Sequence, residues 1–192
     1  AQLPANDLRE LVALAKRRPG KLFVGTAGTG TTLHIAAELF MQMTGTQFTH
    51  VPYKGQAPAL VDLVAGRIHV VVTGLTGVKP MLEKGTVRAL AVTQSQRLKS
   101  APSIPSADEA GLPGYEFVTW YGFAAPRGTP MGILTTLNRH FNAMLDDATI
   151  QQSLVEGGME PLRHSPESFA ALIRADYEKY GRIIRTAGIQ PE

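Results

Sequence analysis

Residues Gly25 to Thr32 read GTAGTGTT, and small and hydroxylic residues at this spacing are suited to closing around an anion. Gly25 and Gly30 have the separation of the phosphate-binding loop G-x-x-x-x-G-K-S/T, and Thr32 ends the pattern correctly, but Thr31 occupies the lysine position. A nucleotide loop needs that lysine to reach the outer phosphates and an acidic strand-end residue for magnesium; the later run VVTG, Val71 to Gly74, supplies no aspartate. What remains is a backbone site. Where a strand enters a glycine loop and a helix leaves it, the first helical N–H groups lack intrahelical partners and, with the helix dipole, attract negative charge without a cationic side chain. Gly25, Gly28 and Gly30 let the backbone approach closely, and Thr26, Thr29, Thr31 and Thr32 add hydroxyl donors. The competing reading is a tight turn closed by a threonine helix cap.

Other chemistry finds little support. The histidines His34, His50, His69, His140 and His164 form no HxxxH or HxH pair, so no metal site is expected. His34 lies one turn into the helix after the Gly/Thr loop, where it could orient that loop. The absence of cysteine excludes disulfides, zinc-thiolate sites and thiol nucleophiles. There is no G-x-S-x-G elbow and no carboxylate pair near the strand ends, so no catalytic residue and no cofactor is predicted.

The elements that must position the loop follow from periodicity. Leu8, Leu11, Val12 and Ala15 recur at helical spacing behind the candidate caps Asn6 and Asp7, and Pro19-Gly20 should end that helix. LFVG (Leu22 to Gly25) predicts a buried strand. Leu33, Ala36, Ala37, Phe40 and Met41 then mark one face of a helix. FTHVPY (Phe48 to Tyr53) predicts the next strand, a helix carries Leu60, Leu63 and Val64, and IHVVVTG (Ile68 to Gly74) predicts a wholly apolar strand. A short helix around Met81 and Leu82 leads to VRALAV (Val87 to Val92), read as a strand. Alternation of helix with strands too apolar to be half exposed indicates an α/β fold, a doubly wound parallel sheet. In such sheets ligands sit at the carboxyl ends of the strands. The turns VPYKG (Val51 to Gly55) and TGLTG (Thr73 to Gly77) fall at the same end as the Gly/Thr loop. That makes Tyr53, Lys54, Thr73 and Gly74 further site candidates, although a packed tyrosine and an exposed lysine explain two of them as well.

After an irregular stretch from Ala101 to Tyr115, EFVTWYGFAAP (Glu116 to Pro126) reads as a strand, with Trp120 and Tyr121 expected in the core. Thr129 reads as a helix cap with Pro130 at the first helical position. Helices are predicted from Met131 to Asp146, Ala148 to Glu156 and Ser165 to Thr186, with GMEPLR between the last two as a possible strand. Leu134, Leu137, Phe141, Leu172, Ile173 and Ile184 then need an apolar partner for which the sequence supplies no second sheet. Composition permits this organisation without adding to it: 192 residues, 44% hydrophobic, 18% charged, net charge +3 spread thinly, with no basic stripe to suggest nucleic acid.

Several blocks taken together resemble the tripartite tricarboxylate transporter substrate receptors, the TctC or Bug family. They are THVPYKGQAPALVDLVAGRIHVVV, KGTVRALAVTQSQR, PSIPSADEAGLPGYE, WYGFAAPRGTP and the closing EGGMEPLRHSPESFAALIRADYEKYGRIIRTAGI. The resemblance covers essentially the whole chain. It implies a periplasmic-binding-protein-like fold of two α/β lobes and a cleft, a receptor and not an enzyme, delivery of a small carboxylate to membrane permease subunits, and a periplasmic location. A family loop resembling SSGNGTSSH, which holds a ligand carboxylate, aligns with Thr26 to His34, Ala27 and Leu33 departing from serine. Many members carry an acidic or amide residue where this chain has Thr73 and Gly74, so an amino-acid ligand is disfavoured. By the same resemblance, residues 1–124 form the second, ligand-clasping lobe and 125–192 the returning, mostly helical part of the first. The expectation is therefore a truncated chain whose orphaned helices could pair two copies as a homodimer. The rival readings are a phosphate-ester or nucleotide-using enzyme with a degenerate P-loop, and an effector-sensing domain of a transcription regulator.

Overall fold

The computed structural model describes residues 3–190. They form two compact units, one of residues 3–118 with 183–190 and the other of residues 119–182.

In the first unit, α1 (Leu8–Arg17) begins at Asp7, whose side chain accepts a hydrogen bond from the Glu10 amide at 2.8 Å. This settles which of the two candidate caps acts. Leu8, Leu11, Leu14 and Ala15 are buried on one face and join Ala5 and Leu22 in the core; Leu14 takes the buried place the spacing assigned to Val12, which is half-buried. Phe40, Phe48, Val70 and Leu90 pack against this cluster. The chain then alternates through β1 (Phe23–Thr26), α2 (Thr32–Thr44), β2 (Thr49–Pro52), α3 (Gln56–Val64), β3 (Val70–Val71) and α4 (Leu75–Glu83). The strands make a parallel sheet in the order β2-β1-β3, with Val24 opposite both His50 and Val70. Both connections run through a helix, as parallel pairing demands. The α/β parallel-sheet reading is therefore correct, with β1 central.

Four strand predictions fail wholly or in part. IHVVVTG pairs over only Val70 and Val71. His69 Nδ1 accepts from the Phe23 amide and the His69 amide donates to Phe23 O, and nothing extends the ladder past Val71. VRALAV forms no strand; its end makes one isolated bridge, Val92 to Ser106. At its end the Val92 amide donates to Pro105 O, O of the following Thr93 accepts from the Phe117 amide at 2.7 Å, and the Arg88 side chain donates to Ala5 O. An apolar cavity of about 280 Å³, lined by Leu11, Phe40, Val70, Leu90 and Val92 among others, lies between that segment and the sheet. EFVTWYGFAAP is likewise irregular, as is GMEPLR.

The second unit contains α5 (Met131–Met144), α6 (Ala148–Glu156) and most of α7 (Pro166–Ala187). The helices match the sequence reading to within two residues. Thr129 does not cap α5, however. Its hydroxyl donates to Pro126 O at 2.8 Å, and Pro130 stands just before the first helical residue. Trp120 is half-buried, its indole N–H donating to Asp176 at 2.7 Å and its ring meeting Phe169 edge-on, whereas Tyr121 is 84% exposed. No residue of α5 or α6 is buried, and Met131, Ile133 and Leu137 are exposed.

Candidate functional site

The Gly/Thr loop leaves β1 at Thr26, which is 0% exposed. Its hydroxyl lies 2.6 Å from His50 Nε2 and is also approached by the Gly28 amide at 3.4 Å. Two glycines make the turn possible. Gly28 has φ +137° and Gly30 φ +71°, a region that L residues with a side chain adopt only under strain. Thr31 is extended and caps α2: its Oγ1 accepts from the His34 amide at 3.4 Å and donates to Gly28 O at 2.8 Å. The anion-loop and helix-cap readings of the sequence are thus both accommodated, because Thr31 satisfies only one amide of the first turn. Those of Thr32 and Leu33 have no protein acceptor among the described residues.

The loop is fastened to the next turn by the main chain, the Tyr53 amide donating to Thr26 O at 3.0 Å and the Gly55 amide to Ala27 O at 3.2 Å. Because the strands are parallel, the helices that follow them all start at one end of the sheet. α2 starts after Thr31, α3 after Gly55 and α4 after Gly74, and the last two have no side-chain cap. Three positive helix ends therefore gather beside the loop, two of them without a side-chain cap.

Of the sequence candidates, Thr26, Gly28, Thr29, Gly30, Thr31, Thr32 and His34 are contiguous on the loop and first turn of α2. Thr73 and Gly74 lie at the start of α4; Thr73 Oγ1 donates to Gln56 Oε1 at 3.2 Å, and Thr73 and Gln56 border the same narrow cleft as Thr26 and Ala27. Tyr53 is turned otherwise. Its ring edge is against Gly25, and its hydroxyl donates to Asp62 on α3 at 2.8 Å, where Arg67 holds the other carboxylate oxygen at 2.7 Å. The Arg67 and Tyr53 hydrogen bonds hold the Asp62 carboxyl below its usual range, while burial and Asp62 push the Tyr53 hydroxyl up. Lys54 is exposed.

Sequence reasoning missed Gln56 and, more consequentially, His50. His34 and His50 stack at 3.8 Å between ring centroids and 9° between planes. His34, 5% exposed, accepts the Gly30 amide at Nδ1 (3.1 Å) and faces Glu38 with Nε2 at 3.4 Å. Burial lowers the His34 pKa, and burial followed by the neighbouring His34 lowers that of His50 to about 4. Burial also raises that of Glu38. The available signal for His50 was the alternation of β2, which sets it in register beside Val24, two residues before Thr26. No group of three or more candidate metal ligands exists among the described residues. The site consists of amides, hydroxyls and neutral imidazole, a donor set for a small anion.

Comparison with known proteins gives a consistent result. The family described as tripartite tricarboxylate transporter family receptor matches residues 1–189. A protein of the tcbD-tcbE intergenic region of Pseudomonas sp. strain P51 is 35% identical over 93% of this chain and 53% of its own length. BugT of Bordetella pertussis is 30% identical over 97% of the chain and 57% of its length. Among solved structures, R. palustris Rpa4515 with adipate superposes with a TM-score of 0.86 at 41% identity, covering 100% of this chain and 64% of that one. MatC from Rhodopseudomonas palustris with bound malate gives 0.79 at 30% identity, covering 95% and 63%. The periplasmic binding protein BugD gives 0.81 at 28%. The fold is that of these periplasmic binding proteins. The chain spans about half the length of the first curated relatives it matches.

Proposed function

The chain belongs to the tripartite tricarboxylate transporter receptor family, and on that premise we propose that it clasps a small organic carboxylate for delivery to the membrane permease subunits of such a transporter. Membership makes it part of a transporter receptor and not an enzyme. The observation that carries the ligand reading is the meeting of three helix N-termini at the carboxyl end of a parallel sheet, with the first-turn amides of Thr32 and Leu33 unpartnered beside hydroxylic residues. A carboxylate matches this site in size and charge. Gly28 and Gly30 shape the loop, Thr29, Thr31 and Thr32 frame it, and Thr73 with Gly74 lines the neighbouring turn. Tyr53 contributes its ring and the anchoring of its strand end, since its hydroxyl is committed to Asp62. The solved relatives bound to adipate and to malate carry ligands of this class.

In the same reading, residues 1–124 are the ligand-clasping lobe, residues 125–192 return to the other lobe, and the protein works in the periplasm. Neutral Thr73 disfavours a ligand bearing an ammonium group. Thermal denaturation of the chain in the presence of mono-, di- and aromatic carboxylates tests the proposal, with ATP and magnesium as the opposing arm. A ligand at ~100 times its dissociation constant stabilises by roughly 2.7 kcal/mol, several degrees for a chain of this size. Stabilisation by one class of carboxylate and none by ATP with magnesium is expected. Stabilisation by the nucleotide alone would favour the phosphate loop instead.

A further inference from the structure

The stacked histidines, His34 buried and His50 half-buried, are titratable groups that the binding reading leaves without a task. We propose that His34 and His50 are positioning residues of the Gly/Thr loop, a pair of neutral imidazoles that holds Gly30 and Thr26 in the anion-binding shape and releases it when His34 takes a proton. The inference rests on the carboxylate-receptor reading of the same site.

The geometry fixes the protonation state. The Gly30 amide donates to His34 Nδ1 at 3.1 Å, so that nitrogen must carry a lone pair and the ring proton must sit on Nε2, toward Glu38. A proton added to His34 goes on Nδ1, where it faces the Gly30 N–H head-on and ends that hydrogen bond. His50 braces the arrangement from β2, its ring parallel to His34 and its Nε2 2.6 Å from the buried Thr26 hydroxyl. At 3.8 Å between centroids the two rings cannot both be charged without strong repulsion. Among the described residues, the titratable groups facing the pair are each other and Glu38 of α2, and β1 contributes the Thr26 hydroxyl. Burial lowers both histidines, so both rings are neutral at neutral pH, and protonation falls below the ordinary histidine range. Each carries its proton in the folded chain only at lower pH than in the unfolded one, so the arrangement is intact above an unfolded pKa of about 6.5 and is lost as pH falls toward the folded value. A positive ring beside an anion would by itself tighten binding, but here the proton lands on the atom that anchors the loop, and the loop must reshape first.

The test compares the wild-type chain with His34→Asn, whose side-chain oxygen can replace Nδ1 as acceptor without titrating. Adipate affinity is measured from about pH 8 to about pH 4.5, and comparing the two proteins cancels protonation of the ligand itself. Whatever the variant's affinity at the upper limit, wild type should lose at least ~3-fold more of its own affinity than the variant does on acidification. Equal acid losses, or a wild type that tightens relative to the variant, would overturn the proposal. Ring and amide NMR titrations of the ligand-free wild type supply an arm that needs neither binding nor a folded variant. His34 should show the Nε2–H tautomer, and the Gly28 and Gly30 amides should move at its titration midpoint. An Nδ1–H tautomer, or loop amides that stay still while His34 titrates, would sink the latch. If wild type binds no carboxylate, the receptor reading fails, and the NMR arm still decides whether the histidines position the loop.

Discussion

Thr26→Val is expected to destabilise the chain by about 1–3 kcal/mol, the cost of leaving buried partners without a hydrogen bond, and to weaken carboxylate binding at the same time. Valine matches threonine in volume, so packing around this 0% exposed side chain changes little and the effect isolates the hydroxyl. That oxygen meets His50 Nε2 at 2.6 Å and the Gly28 amide at 3.4 Å. Removing it strands a ring nitrogen and frees the glycine that opens the loop. At roughly 2–4 °C per kcal/mol for a chain of this length, the melting temperature should fall by several degrees. Thr26→Ser, which keeps the oxygen, should recover most of the ligand affinity. A valine variant with unaltered melting temperature and unaltered affinity would show that the hydroxyl contributes nothing, and the loop geometry would need another cause.

Leu11→Ala should cost more stability and act differently. Leu11 is 1% exposed and sits in the middle of the buried face of α1, with Leu8, Leu14 and Ala15 beside it. Losing its branched end removes apolar burial and enlarges a void that the helix cannot follow inward, a loss of ~2–5 kcal/mol in buried sites of this type. Since small domains hold only about 5–15 kcal/mol in total, denaturant midpoints should shift substantially. Val61→Ala serves as the comparison: Val61 is 60% exposed, and its truncation should stay within about 0.5 kcal/mol. A loss below about 1 kcal/mol for Leu11→Ala would mean that the neighbouring apolar cavity lets the core relax around the change.

What could be read from the sequence divides along physical lines. The α1 face was legible because Leu8, Leu11 and Ala15 follow helical spacing, and the Gly/Thr loop was legible because glycines between a strand and a helix leave amides to be satisfied. Strand extent was not. VRALAV has every local property of a buried strand, yet its one sheet-like contact is the isolated Val92–Ser106 bridge, beside which the Val92 amide meets Pro105 O, and no periodicity encodes that. IHVVVTG is equally apolar, but pairing ends at Val71 because ladder length depends on the neighbouring backbone. Within the site, Thr26 and His34 were identified from their place in the loop. His50 was passed over as one of several isolated histidines, because the contact that gives it a role joins residues 24 positions apart. Tyr53 was named as a possible ligand contact, and its alternative of a packed strand-end tyrosine describes the observed hydroxyl bond to Asp62 more closely.

The central claim is that first-turn amides, and not a cationic side chain, hold the ligand. It is tested most directly by following the backbone amide resonances of the chain during titration with adipate and, separately, with malate. The account predicts that Gly28, Thr32 and Leu33 shift in a saturable way with at least one of these ligands, together with amides at the starts of α3 and α4. Saturable shifts confined to α5–α7, or shifts of the loop amides only with ATP and magnesium, would contradict it.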